Sequence, residues 1–181
     1  LEYCRESLHV AEEFEVDRII TLGAMFADCP HTRPLPVDVS DSTCQCSMDQ
    51  EYNGPVGIPT ILDAMACEDG YDTTSMWVSI PQYLGCDECA PATLRLLDHL
   101  SMALGVSLDG GALVGKAERW RGKAAALMRC NDDLNAYVKE LERAYDGESP
   151  AQDMPPFNAP QAEQLVKEAE EFLKDCGNSP A

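Results

Sequence analysis

The sequence predicts an α/β fold, and three observations carry that prediction. Residues 17–24 form a short β-branched apolar run, Asp-Arg-Ile-Ile-Thr-Leu-Gly-Ala, that follows a stretch of helical periodicity. A second run of the same kind, Thr73-Thr74-Ser75-Met76-Trp77-Val78-Ser79-Ile80, ends at Pro81. Helical periodicity precedes that second run at 58–68 and follows it at 90–104. Strands alternating with helices belong to a sheet covered by helices.

Each element follows from its residues. Leu1, Leu8, Ala11 and Phe14 fall on one helical face with charges between them, which makes 1–15 an amphipathic helix. That helix has no capping start and no initiator Met, so a preceding segment is expected to be absent. Gly23 closes the first strand. Pro30, Pro34 and Pro36 exclude helix from 27–39, leaving a loop that leads into an edge strand. Residues 40–51 are polar and aperiodic, and Tyr52-Asn53-Gly54-Pro55-Val56-Gly57 supplies turn chemistry before the helix at 58–68, which stops near Gly70. Leu94, Leu97, Leu100 and Leu104 define the helix at 90–104, ended by Gly105.

From Leu113 to Tyr145 the apolar positions alternate spacings of four and three through Ala117, Trp120, Ala124, Leu127, Asn131, Leu134, Val138 and Leu141. This heptad seam reads as one long helix that bends or packs against a partner, with Gly122 its weakest point. Asn131 either fixes register on the seam or sits at a solvent-facing bend. Residues 147–160, with Pro150, Pro155, Pro156 and Pro160, read as a linker. Leu165, Ala169, Phe172 and Leu173 then give a last helix at 161–177. The expected organisation is an α/β portion at 1–105, a long helical segment at 106–146, the linker, and the final helix.

Composition excludes several function classes. Thirteen Lys and Arg against 32 Asp and Glu give a formal charge of −19, which repels phosphate backbones and anionic lipid. Nucleic acid and membrane are therefore not expected partners. No apolar run reaches membrane-span length and no signal peptide opens the chain, so the expected location is the cytoplasm. Nine cysteines without an export signal are expected as reduced thiols. Cys86 and Cys89 have zinc-ligand spacing, but Cys44 and Cys46 do not complete a four-ligand site, so neither metal nor cofactor is expected.

The chemistry-bearing candidates gather after the first strand. Asp28, His31 and Arg33 lie where open α/β sheets collect ligands. His31 can donate or accept a proton, and Arg33 can clamp a carboxylate or phosphate. The plainer expectation pairs Arg33 with Asp28 and has His31 cap backbone. Cys29 and His31 are spaced to permit a thiol–imidazole pair. Gly54 belongs to a turn able to present amides to an anion. Trp77 and Tyr83 flank the end of the second strand and, with His31 and Tyr52, are candidates to line one ligand pocket. No G-x-S-x-G, Walker, G-x-G-x-x-G or H-E-x-x-H motif is present, and no residue is assigned a catalytic role.

The segments Thr21-Leu22-Gly23-Ala24, Pro30-His31-Thr32-Arg33-Pro34, Tyr52-Asn53-Gly54-Pro55-Val56-Gly57-Ile58, Ser75-Met76-Trp77 and Ile80-Pro81-Gln82-Tyr83 resemble, in order and spacing, the actinobacterial branch of the proteasome assembly chaperone family. The likeness continues through Ala92-Thr93-Leu94 and Tyr137-Val138-Lys139-Glu140-Leu141-Glu142. It departs at Glu88-Cys89-Ala90-Pro91, where relatives have a Pro-Asn-Pro-Lys type of turn, and at Gln82, where His is usual. The resemblance implies a three-layer α/β/α sandwich of the phosphorylase/hydrolase-like fold with added C-terminal helices. It also implies a homo-oligomer, dimer or trimer, and a non-enzymatic protein-binding or assembly role, with proteasome subunits as candidate partners. The alternative it leaves open is a small-molecule binder or an enzyme of nucleoside phosphorylase or hydrolase type. Relatives carry an N-terminal portion that adds strands to the same sheet, so exposed sheet edges are expected to make this chain aggregate unless another chain covers them.

Overall fold

The computed structural model describes residues 1–41, 57–85 and 88–147. The elements run α1 (Glu2–Glu13), β1 (Arg18–Ala27), β2 (Val37–Asp41), α2 (Ile58–Glu68), β3 (Asp72–Pro81), a 3-10 turn (Gln82–Leu84), α3 (Ala90–Leu104), α4 (Ala112–Cys130) and α5 (Asp132–Tyr145). Mixed α/β architecture is what the sequence predicts. The turn at 52–57 up to Gly57, the linker, the final helix and Cys86 lie outside the described residues. Among those residues no helix is long and apolar enough to cross a membrane.

The three strands form one sheet in the order β1-β3-β2. β2 pairs antiparallel with β3, from Val37 opposite Val78 to Asp41 opposite Thr74. β3 holds the centre, which explains why its side chains are buried on both faces at Thr73, Ser75, Met76, Val78 and Ser79. β1 and β2 are the edges among the described strands.

Contacts divide the chain into two compact units. The first comprises Leu1–Ala24 and Val37–Val78. The second comprises Met25–Pro36 and Ser79–Ala181, of which residues 25–36, 79–85 and 88–147 are described.

In the first unit α1 packs on α2. The face that α1 buries is Cys4, Leu8 and Ala11, whereas Leu1 and Phe14 are exposed. The predicted stripe is thus shifted, because Cys4, four residues before Leu8, takes the inner position. Gly23 does not close β1; the strand continues to Ala27. The glycine is there for space. A Cβ added at Gly23 would stand 2.5 Å from Cε3 and Cζ3 of Trp77, far inside van der Waals contact. On that same face Thr21 donates to the hydroxyl oxygen of Ser75 at 3.0 Å, and the Trp77 indole N–H donates to it at 3.0 Å.

In the second unit α3 packs on α4 and α4 on α5. The seam is not one helix. Asn131 adopts extended backbone, ends α4, and accepts the Leu134 amide on its side-chain oxygen at 2.9 Å to begin α5. A side-chain cap outcompetes helix continuation there. Asp132 and Asp133 then complement the positive end of the α5 dipole, and Arg143 the negative end. Gly122, by contrast, stays inside α4. Because the break lets the two halves of the seam face each other, Ala124 packs with Leu134, Val138 and Leu141, and Tyr83 and Leu84 of the 3-10 turn complete the cluster.

Candidate functional site

The proline-bearing loop after β1 is held down residue by residue in the second unit. Pro81 ends β3 and the 3-10 turn directs Tyr83 inward, where it is 2% exposed. The Tyr83 hydroxyl oxygen accepts the backbone N–H of His31 at 2.9 Å and lies 2.8 Å from His31 Nδ1. A buried hydroxyl proton needs an acceptor, and Nδ1 is the one in reach, so the ring accepts there and carries its proton on Nε2. Burial pushes the His31 pKa below its ordinary value, opposed in part by the Glu142 carboxylate, in keeping with a neutral imidazole. Burial likewise drives the Tyr83 pKa upward.

Rings frame this pair edge to face. His31 meets Tyr83 at 5.9 Å between centroids and Trp120 at 6.3 Å, and Tyr83 meets Tyr137 at 5.8 Å. Tyr137 donates its hydroxyl to Asp28 at 2.6 Å, and the Gln82 amide donates to the same carboxylate oxygen. The Tyr137 pKa rises, chiefly through burial and then through the Asp28 hydrogen bond and charge.

Arg33 pairs not with Asp28 but with α5 and its cap. Its Nε and Nη2 donate to the two oxygens of Asp146 at 3.0 and 2.7 Å, and Nη1 reaches Glu142 at 3.4 Å. The bidentate fork holds the Asp146 carboxyl below its usual pKa. Asp28 is instead engaged by Tyr137 and Gln82, which arrive from elements far along the chain. Thr32 donates to Glu142, and the Tyr145 hydroxyl donates to the Pro34 carbonyl at 3.1 Å. The loop is therefore stitched to α5 along the length of 28–34.

The structure thus brings Asp28, His31, Arg33 and Tyr83 into one network. Trp77 belongs to the first unit, over Gly23, and Tyr52 and Gly54 lie outside the described residues. Among the described residues no hydrogen bond joins His31 to Cys29, and the His31 Nδ1 is given to Tyr83. The Cys29 thiol is buried and its pKa is pushed up to about 12, first by burial and then by the Asp28 charge, which disfavours a thiolate. Cys4, Cys29, Cys67 and Cys130 carry free thiols. Tyr137, Glu142 and Asp146 were not among the sequence candidates. Two signals point toward them: Tyr137 and Glu142 lie in a segment that carries the family likeness, and Glu142 and Asp146 stand four apart.

Taken as a class, this is an α/β protein in which a helical hairpin and a buried Tyr–His pair pin the loop that leaves the first strand. The chain belongs to the PAC2 family, whose model matches residues 1–128. This is the assignment that the motifs indicate. Among solved structures it is similar to a PAC2 family protein from Streptomyces avermitilis, at 32% identity and a TM-score of 0.65, covering 76% of this chain and 60% of that one. It is similar as well to a proteasome-assembly chaperone homologue from Mycobacterium tuberculosis, at 28% identity and 0.66, with coverage of 76% and 60%. A protein of unknown function from Corynebacterium glutamicum follows at 25% and 0.73, with coverage of 81% and 56%. The chain therefore spans about 60% of the length of the first two structures it matches. No curated protein matches it.

Proposed function

We propose that this chain is a non-enzymatic protein-binding or assembly factor of the proteasome-assembly chaperone type, acting in the cytoplasm as a homo-oligomer with proteasome subunits as its partners. The observation that carries the reading is PAC2 family membership over residues 1–128, joined to the 28% identity with a protein described as a proteasome-assembly chaperone homologue. The site supports it from a second direction. Asp28, His31, Arg33 and Tyr83 are engaged with one another or with α5, and the neighbouring thiol is held protonated, so these groups position a loop rather than present a nucleophile. The finer architecture proposed is the three-layer α/β/α sandwich, with 1–105 as its α/β portion and the helices from 106 onward added to it.

The test is affinity capture with the tagged full-length protein, followed by mass spectrometry. Stoichiometric recovery of proteasome α subunits is the expected result. Recovery of none, from cells that express the proteasome, overturns the proteasome reading.

A further inference from the structure

We infer that the cleft between the 31–34 loop, α3 and α4 is a binding site for an oxyanion, a carboxylate or phosphate borne by a larger molecule. The cleft has a volume of about 650 Å³ and is lined by His31, Thr32, Arg33, Arg95 and Arg121. All of these belong to the second unit. Three of the chain's 13 basic residues converge on it, whereas none of the described carboxylates lines it, in a protein of charge −19. Chance placement in so acidic a chain favours the opposite.

The three arginines differ in what they have left to give. Arg33 is committed, through its fork, to Asp146 and Glu142. Arg95 is anchored by Nε on the Leu35 carbonyl at 3.2 Å. Among the described residues its one ion pair is with exposed Asp98, at 3.8 Å from Nη1, a surface contact of little strength. Anchoring at Nε fixes the guanidinium, and among the described residues neither terminal nitrogen is held by a hydrogen bond, Nη1 having only the long Asp98 contact. Arg121, on an exposed position of α4, forms no ion pair among the described residues. With Nδ1 accepting from Tyr83, the remaining hydrogen-bonding atom of His31 is the donor Nε2–H.

The charged lining is thus rich in donors, and two guanidinium groups in one concavity repel each other until an anion separates them. A ligand that satisfies it must be rich in acceptors and negatively charged. The volume exceeds what a bare phosphate or acetate needs and suits a ligand of small-metabolite size or an acidic side chain with its flanking residues. Arg geometry is common to carboxylate and phosphate recognition, so the two sources are separated by experiment.

The full-length protein is titrated calorimetrically with pyrophosphate and, separately, with citrate, each against sodium chloride of equal ionic strength. Saturable binding of one or both is expected, weakening as salt rises. Preference for pyrophosphate assigns the phosphate class, and preference for citrate the carboxylate class. Arg121→Gln is expected to weaken binding at least tenfold and Arg121→Glu to abolish it; both stand at an exposed helical position where the fold is not at risk. Arg95→Gln is expected to weaken it similarly, with unchanged circular dichroism as the check on folding. The inference is overturned if neither probe differs from sodium chloride, or if Arg121→Gln binds like the parent. Proteasome capture is scored independently of either result.

Discussion

The two units solve the same problem, holding distant segments together, with different physics. In the first, β1 and β3 meet through a glycine that makes room for Trp77 and through the Thr21–Ser75–Trp77 hydrogen bonds, across a sequence separation of 54. Its buried apolar residues are Cys4, Leu8, Ala11, Ala66, Met76 and Val78. In the second, the 28–34 loop is tied to α5 across about 110 residues by charged and phenolic groups, over a cluster of Leu134, Val138, Leu141 and Tyr83. Both units bury apolar side chains; the first adds a close approach of backbone to ring, the second a polar clasp. The lesson is that the residues most suggestive of chemistry serve the clasp.

Mutations separate the two mechanisms. The largest effect is expected in the second unit's apolar cluster: Leu141→Ala removes a buried side chain and is expected to cost about 2–5 kcal/mol in urea unfolding. A cost below about 1 kcal/mol means that the helical hairpin is not what carries that unit. Next comes Gly23→Ala, which drives a methyl group into the Trp77 ring and is expected to cost about 1–3 kcal/mol, the usual range for overpacking. Adding Trp77→Leu should recover part of that loss, and failure to do so would assign the glycine another role.

Tyr83→Phe probes the clasp. It leaves the buried His31 amide and Nδ1 without their partner, at an expected cost of about 1–3 kcal/mol. The same site predicts a pH dependence. The folded state lowers the His31 pKa below the ordinary 6.5, so the unfolded chain takes up the proton first as pH falls. Stability from this group is therefore present above about pH 6.5 and is lost as pH descends toward the folded value. His31→Gln should flatten that part of the profile; a slope unchanged in the variant assigns it to carboxylates instead. The smallest effect belongs to the exposed Arg18–Asp72 pair of the first unit, 2.6 Å apart, where Arg18→Gln is expected to cost under about 1 kcal/mol.

The local elements were legible because local chemistry specifies them. Helices 58–68 and 90–104 and the strand around 73–80 appear where periodicity, Pro81 and Gly105 place them. The loop at 28–34 was legible as a prominent segment too, since its prolines and charges break both periods. What misled was the seam from 113 to 145. Spacing alone cannot distinguish one long helix from two that fold against each other, because both bury the same positions. Asn131 decided between them, and its capping role becomes visible only once Leu134 offers its amide.

Family membership likewise follows from the ordered motifs, which need no coordinates. The partners of Arg33 and Asp28 do not. Several carboxylates compete for one guanidinium in so acidic a chain, and sequence proximity favours Asp28. Tertiary structure brings α5 alongside the loop, so Arg33 takes Asp146 while Asp28 takes Tyr137. Residue order specifies helices, strands and kinship because those depend on neighbours within a few positions. Which donor meets which acceptor across 110 residues depends on how the hairpin folds back, and that is a property of packing.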